Sequence, residues 1–493
     1  MGESLPLNVN ARTHRVLALE EHLAAPRGQG ALTGAAHSGA AGGAACGDLV
    51  RVGVRLEGER VAEAGFEASG CAAARAAGSA VVELVEGRPL LEVARLTPDA
   101  VASELGGLLP ASRHAAELAA DALHRALGAA AREGVPALTP NARRTLVAMS
   151  GGVDSAAAAQ LALDAGDEVV AVTLELWADP ATDAERSCCS PRAVTGARAL
   201  AHGMGIPHLT LDLRERFRAE VVDDFLDGYA AGGTPNPCVR CNGHVRFDAM
   251  LELAAALGAG RLATGHYARI ARDERGPLLR AAADEHKDQS YMLARLRPAQ
   301  LELLSFPLGG MTKDSVRAIA RAARLPVADK RESQDLCFVA GIGRRGFLRR
   351  HGAHKLGGGG QIVDRDGRVL GRHDGQHEFT VGQRRGIGVA APEPLFVLEK
   401  DATSGRVVVG PRERLATSSV ALDGALLHRP AAEVDAVKLR YRSRPLPCRV
   451  TGTGPRLMLE LERPAMAAAP GQLACLLSGD RVAGHATIAK AAA

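Results

Sequence analysis

The sequence predicts a multidomain chain of the α/β plus β class, with a central doubly wound parallel sheet and a β-rich end. Three observations carry this expectation. At 493 residues the chain exceeds one ordinary core and has room for about three domains. Between residues 143 and 340, apolar β-type runs alternate with amphipathic helical stretches, the pattern of a parallel sheet with helices on both faces. After residue 360 the pattern changes to short β-type runs punctuated by Gly and Pro, which suits small β-barrels.

The first predicted domain, residues 1–132, ends in a long Ala-rich helical stretch. Glu133-Gly-Val-Pro-Ala-Leu-Thr-Pro-Asn141 carries two prolines and reads as part of a linker at 133–142. In the second domain, 143–340, strands are expected at 145–149, 169–176, 208–213 and 261–264. Helices are expected at 192–204, 214–230 and 244–257. A small central β domain, 341–411, contains the flexible turn Gly357–Gly360 and the loop Ala390–Pro394. A C-terminal β-barrel follows at 412–493. The β-type runs of this last third are 361–363, 395–399, 406–409, 436–441, 447–451, 456–461 and 472–477.

Apolar residues make up 46% and charged residues 24%, so a soluble globular chain is expected. Aromatics are few, with one tryptophan, Trp177, so the cores must be built from Ala, Leu and Val. No apolar run is long enough for a membrane span and the N-terminus lacks a signal-peptide pattern, which predicts a cytoplasmic protein with no membrane partner. In that compartment nine cysteines point to catalysis, metal binding or burial rather than to structural disulfides. Charge is unevenly spread. Residues 1–142 have 12 basic and 16 acidic side chains, 143–340 have 24 and 26, and 341–493 have 24 and 14. The basic last third suits a polyanion such as RNA, or simply a solvated surface.

Ser150-Gly-Gly-Val-Asp-Ser155 lies between the apolar run Thr145–Met149 and the helical run Ala156–Asp164. A glycine-rich turn there gathers backbone N–H groups at the positive end of a helix dipole, which makes a phosphate cradle. It lacks the Lys-Ser/Thr ending of the nucleoside-triphosphatase P-loop. It resembles the signature of the ATP pyrophosphatases, which hold the pyrophosphate of ATP while the α-phosphate passes to an oxygen.

Cys238-Val-Arg-Cys241 lies in Thr234-Pro-Asn-Pro-Cys-Val-Arg-Cys-Asn242, a proline-stiffened loop before a helix. Cysteines near a helix N-terminus have a lowered pKa, and Arg240 is expected to add to that. A third cysteine, Cys337, sits in Ser333-Gln-Asp-Leu-Cys-Phe338. On its own CxxC admits a redox pair, metal ligands or chance. Further motifs follow in order: Ala263-Thr-Gly-His-Tyr267, Lys287-Asp-Gln-Ser-Tyr291, Thr380-Val-Gly-Gln-Arg-Arg-Gly386, Leu439-Arg-Tyr-Arg442 and Pro470-Gly-Gln472. Together they resemble, over residues 143–490, the bacterial tRNA-specific 2-thiouridylases, whose central domain is of the adenine-nucleotide α-hydrolase type.

That resemblance implies an enzyme that adenylates the C2 oxygen of a tRNA wobble uridine with ATP and Mg²⁺ and then replaces it with sulfur. It implies Asp154 in catalysis, Cys337 as persulfide carrier and Cys241 as its partner nucleophile. Ala148, Met149, Ser150, Gly151, Gly152, Val153, Asp154, Ser155 and Gly265 would contact ATP, with Leu174 beside the adenine. Asn236, Pro237, Cys238, His266, Lys287, Asp288, Gln289, Arg440, Tyr441 and Gln472 would contact tRNA. A sulfur donor such as a cysteine desulfurase or sulfur-relay protein is implied as a partner. Two sulfur routes stay open. Attack of Cys241 on the persulfide releases sulfide and leaves a disulfide, or the persulfide attacks the base. Alternatively Cys238, Cys241 and Cys337 hold an iron–sulfur cluster that carries the sulfide. Cys188-Cys189 reads as structural or part of a substrate loop, and Cys448 and Cys475 as core. A small-molecule ligase would need neither the cysteine pair nor the basic end. A tRNA methyltransferase finds no support, since no glycine-rich methyl-donor turn is evident.

Upstream, Ala45-Cys46-Gly47-Asp48, Ser69-Gly70-Cys71 and Arg113-His114-Ala115 occur in the order of the NifU-like iron–sulfur scaffold proteins, which are small α+β domains. Thr97-Pro98-Asp99 before a helical run at 100–106, and an amphipathic helix at 112–131, fit that plan. Ala115 stands where the scaffold's third cysteine is expected. Cys46, Asp48, Cys71 and His114 remain as a four-ligand set for a cluster or zinc. The domain thus reads either as a source of cluster or sulfur tethered to the second site, or as a degenerate docking domain.

Overall fold

The computed structural model describes residues 18–34, 36–42, 47–133, 138–179, 190–330 and 336–490. Cys46, Cys188, Cys189, Ser333, Gln334 and Asp335 lie outside these described residues.

The N-terminal unit is an antiparallel sheet of β1 (His37–Gly42), β2 (Leu49–Glu57) and β3 (Arg60–Ser69), in that order. Alternation on β2 turns Val50, Val52 and Val54 inward, where each is fully buried. Helices Ala72–Val85 and Arg113–Arg132 cover that face. The short helix Pro98–Glu104 is capped by Thr97, whose Oγ1 accepts from Ala100 N–H at 3.1 Å. This is the α+β arrangement expected.

The central sheet is wholly parallel. Its order is Leu304–Ser305, β7 (Ala259–Thr264), β4 (Asn141–Ala148), β5 (Glu168–Glu175), β6 (His208–Asp212). All four expected strands are present. Strand β5 is buried along nearly its whole length, as a central strand covered on both faces requires. Register pairs Ala148 with Val172 and Thr264, and Leu174 with Leu211, so the carboxyl ends line up along one edge. The expected helix at 244–257 starts earlier. A continuous helical run takes in Pro237–Arg240, a π-helical turn Cys241–Arg246 and Phe247–Ala256. Proline at its first turn is tolerated because that N–H has no helical partner.

After residue 360 come a four-stranded sheet and an eight-stranded sheet closed by pairing of Ala416–Leu427 with Arg481–Ile488. The eight include a hairpin from the central segment, Arg269–Asp273 and Gly276–Arg280, joined through Arg280 and Arg481. A boundary at residue 340 therefore does not separate all sheet contributions. Pro277 and the charged residues of that hairpin hide its strand character in the sequence. Cys475 and Cys448 are buried core residues, and burial pushes their thiols up to about 12 and about 11. No described helix is long and apolar enough to cross a membrane.

The N-terminal unit is docked on β6, the edge strand of the central sheet, along helix Arg113–Arg132. Gly128 lies so close to Thr210 that a Cβ there would sit 1.8 Å from the Thr210 carbonyl oxygen, which only glycine avoids. Asp121 pairs with Arg198 and Arg125 with Glu175, each at 2.5 Å. The seam between them is apolar and continuous with both cores. Covering β6 in this way satisfies an edge that would otherwise invite pairing with another chain.

Candidate functional site

A cavity of about 220 Å³ opens at the carboxyl edge of the central sheet, where ligands of open α/β sheets bind. Ala148, Met149, Ser150, Asp154, Ser155, Leu174 and Gly265 line it, as do His266 and Gln289. Gly151, Gly152 and Val153 complete the turn. Gly152 is the N-cap of helix Val153–Asp164 and has no side chain to satisfy the first N–H groups, so they stay available to an anion. Ser155 pins the turn: its Oγ donates to Gly152 O at 3.0 Å and accepts from Ser150 N–H at 3.2 Å. Gly265 crosses close to the helix start, where a Cβ would lie 2.7 Å from Asp154 C and Ser155 N.

Asp154 is held by groups that the sequence reasoning missed. Lys313 Nζ lies 2.6 and 2.8 Å from its two oxygens, and Tyr267 OH donates to Oδ1 at 2.9 Å. Lys330 Nζ donates to Gly151 O at 2.9 Å. Lys313 opens helix Lys313–Ala322. A cation at that end opposes the helix dipole and gains from an anionic partner, a signal that does not say which one. Tyr267 stood inside a motif already singled out. Arg246, Met250, Val172, Thr173 and Thr264 also line the cavity. Burial, with the Arg246 charge beside it, drops His266 to about 3, so its imidazole is neutral. Its Nδ1 lies 2.8 Å from Thr264 Oγ1.

Cys241 and Arg246 bound the same π-helical turn, so one element carries a buried thiol and a cavity-lining guanidinium. Asn236 caps the run, its side chain accepting from Val239 N–H at 3.3 Å. Pro237 is buried and Cys238 half-buried. Arg240 donates to Glu220 O and pairs with Asp224 at 3.2 Å, so its charge is engaged by that carboxylate and not reserved for the thiols. Cys337 is half-buried against the same apolar core that holds Cys241 and Phe338. Cys238, Cys241 and Cys337 do not gather their sulfurs within 4.8 Å of one another, so they form no single-ion site.

The remaining candidates divide. Gln289 Oε1 accepts from Tyr267 N–H at 2.9 Å and the side chain faces the cavity. Lys287 is half-buried beside it in sequence. The Asp288 carboxylate is turned to internal bonds, from Ala282 N–H, Ser290 N–H, Ser290 Oγ and Lys438 Nζ at 2.9–3.1 Å. It ties the motif to the barrel. Arg440 and Gln472 line a second pocket of about 380 Å³ with Thr234 and Thr380–Gln383, so four separate motifs meet there. Arg440 donates to Ala467 O at 2.7 Å and Gln472 to Thr234 O. The Tyr441 ring lies 6.2 Å from Tyr291, under the Arg442 guanidinium.

In the N-terminal unit, Asp48, Cys71 and His114 place ligand atoms within 4.8 Å of one another. Cys71 Sγ donates to Asp48 Oδ2 at 3.1 Å, Cys71 N–H to Oδ1 at 2.9 Å, and His114 Nε2 lies 2.8 Å from Oδ2. The Cys71 bonds and His114 hold the Asp48 carboxyl down at about 2, while burial and that carboxylate push the Cys71 thiol up. Ala115 is fully buried in the core and offers no ligand. Arg132, at the far end of the His114 helix, donates to Asp212 O at 2.9 Å, at the carboxyl edge of the sheet. Eighteen residues separate Arg132 from His114, roughly 27 Å along the helix axis. The Asp48 cluster therefore faces the opposite edge from the nucleotide cavity.

Family models match in the same order. A NifU-like N-terminal domain matches residues 14–133, a tRNA methyl transferase HUP domain 143–341, a tRNA methyl transferase PRC-barrel domain 345–411 and an aminomethyltransferase β-barrel domain 429–488. The bifunctional protein NifU/MnmA of Rubrobacter xylanophilus is 44% identical over 95% of this chain and 97% of its own. The tRNA-specific 2-thiouridylase MnmA of Geobacter metallireducens is 45% identical over 70% of this chain and 97% of its own. That of Sorangium cellulosum is 44% identical over 70% and 92%. With this coverage, and with the nucleotide turn, the cysteines and the N-terminal ligand cluster in place, the chain belongs to the tRNA-specific 2-thiouridylase family, in the form fused to a NifU-like domain.

Proposed function

We propose that the chain performs ATP-dependent 2-thiolation of the wobble uridine of tRNA. The observation that carries this reading is the helical run that joins Cys241 to the cavity-lining Arg246 beside the Ser150–Ser155 turn. The thiol lies one π-helical turn from the wall of the phosphate cradle. The uridine O2 attacks the α-phosphorus of ATP and pyrophosphate leaves. The turn's N–H groups and Lys330 hold the pyrophosphate side, and Lys313 is freed from Asp154 by competition from phosphate. Among the described residues Asp154 is the one carboxylate lining the cavity, which fits a magnesium ion shared with ATP phosphates. Bound there, the ion would neutralise phosphate charge.

Oxygen on a pyrimidine is a poor leaving group, and as AMP it becomes a good one. Sulfur arrives from a persulfide on Cys337. Attack of the Cys241 thiolate on the Cys337 sulfur forms the disulfide and releases HS⁻, which adds to C2 as AMP departs. A thiol reductant then restores both cysteines. The target base must leave its stack to reach this site. The pocket formed by Thr234, Thr380–Gln383, Arg440 and Gln472 supports a tRNA contact there, with the basic last third gripping phosphates. A cluster-borne sulfide has no specific observation in its favour. Incubation of unmodified tRNA with the protein, ATP and a persulfide donor is expected to yield 2-thiouridine in digests. Its absence would contradict the reading.

For the N-terminal unit, the donor set of Asp48, Cys71 and His114 suits zinc or iron. Loading must release the Cys71 proton, since the thiol is now protonated against Asp48. In Cys71→Ala, bound metal measured by elemental analysis should fall to a small fraction of wild type while thiolation driven by an added persulfide donor persists. Equal metal in both proteins would remove this site. With the cluster on the opposite edge, sulfur cannot pass directly to Cys337 while the unit is docked. Transfer requires undocking, a second copy or a carrier.

A further inference from the structure

The strand on which the N-terminal unit docks is wired to the nucleotide turn by one side chain. His208 opens β6. Its backbone N–H donates to Ala94 O of the N-terminal unit at 2.9 Å, and its carbonyl lies 3.2 Å from His124 Nδ1 on the docking helix. Its ring is fully buried, 6.4 Å from the His124 and His202 rings, with Nε2 2.8 Å from Thr173 Oγ1. Thr173 has one hydroxyl proton and donates it to Met149 O at 2.7 Å. Its oxygen must therefore accept from His208, which fixes the ring as the Nε2–H tautomer. Met149 lines the nucleotide cavity and immediately precedes Ser150.

Packing alone does not call for this arrangement. His208 lies on a buried strand beside the rings of His124 and His202. Its Nδ1 finds no partner among the described residues, a desolvation cost that an apolar side chain would avoid. Burial and the Arg198 charge hold the ring neutral, so its single N–H sits on Nε2, where the Thr173 oxygen accepts it.

We propose that His208 is a positioning residue for the nucleotide turn. Through Thr173 it fixes the Met149 carbonyl, and through its backbone it makes the seating of that turn depend on docking of the NifU-like domain. The inference rests on the nucleotide reading of the cavity.

The test uses full-length protein and ATP. His208→Leu should raise the KM for ATP about fivefold, the effect of one neutral hydrogen bond, with kcat at saturating ATP little changed; Thr173→Val, at a residue that also lines the cavity, should raise it at least as far. The double variant should go no further than Thr173→Val alone, since His208 acts through Thr173. His208→Gln, whose amide N–H can take the place of Nε2–H, should recover most of the loss. Gly128→Ala forces a Cβ against Thr210 O and disturbs docking. It should raise the KM in the wild-type background and add nothing in His208→Leu. Calorimetric ATP binding, scaled to the folded fraction, follows the same pattern if a variant folds poorly. A fall in kcat at constant KM without rescue by glutamine would overturn the positioning role. Additive Gly128→Ala and His208→Leu effects would overturn the coupling. Wild-type protein that bound no ATP would overturn the nucleotide reading itself.

Discussion

Replacing Cys337 with alanine is expected to abolish 2-thiouridine formation, by at least about a thousandfold, the scale on which enzymes lose a nucleophile. The first half-reaction should survive. On the proposed reading, release of pyrophosphate from ATP in the presence of tRNA depends on the Ser150–Ser155 turn, Lys313 and Asp154, none of which Cys337 bonds to in the structure. Cys337 is half-buried at the rim of the core, next to the fully packed Phe338. Loss of its sulfur removes little packing, so the fold should hold. Nucleoside mass spectrometry on tRNA, with pyrophosphate measured in the same samples, separates the two steps. Normal 2-thiouridine from Cys337→Ala would remove the persulfide assignment. Cys241→Ala should also block turnover, and it should leave Cys337 able to accept one sulfur atom per chain.

Replacing Asp154 with alanine should fail earlier, at ATP use. The change removes the one carboxylate that lines the cavity among the described residues, and takes from Lys313, which is 11% exposed, the carboxylate 2.6 Å from its Nζ. A mostly buried ammonium that loses a close carboxylate is less well stabilised, and it reorients or captures phosphate in the wrong place. A loss of about 10² to 10³ in adenylation is expected, the usual effect of removing one charge-stabilising group. Asp154→Asn keeps the Tyr267 hydrogen bond but not the charge, so it should resemble alanine in rate and wild type in stability. Pyrophosphate release at wild-type rate in both variants would show that this carboxylate has no part in nucleotide chemistry.

Much of this was legible in the sequence, for reasons that can be named. The strands of the central sheet are buried on both faces, so continuous apolar runs such as Val169–Leu174 mark them clearly. A glycine turn between such a run and a helix can be read locally, and it led directly to the cavity. The hairpin at Arg269–Arg280 was hidden because charges interrupt it and Pro277 sits within it. Lys313 and Asp154 are 159 residues apart, and nothing local to either shows that they pair. The same holds for the His208–Thr173–Met149 relay, which exists only because β5 and β6 run side by side. Asp288 shows the opposite failure. It stands in a motif full of candidate ligand contacts, and its carboxylate turns out to join that motif to Lys438 of the barrel. The N-terminal ligand set was found as a pattern of residue types. Its position at the far edge of the sheet could come only from the docking of helix Arg113–Arg132 on β6.

The central claim is that ATP activates the uridine C2 oxygen so that sulfur can displace it. The fate of that oxygen tests it most directly. A tRNA carrying ¹⁸O at C2 of its wobble uridine is incubated with the protein, ATP and a persulfide donor, and the AMP is analysed by mass spectrometry. One ¹⁸O per AMP, equal in amount to the 2-thiouridine formed, is the expected result. AMP without the label, alongside 2-thiouridine, would contradict the account.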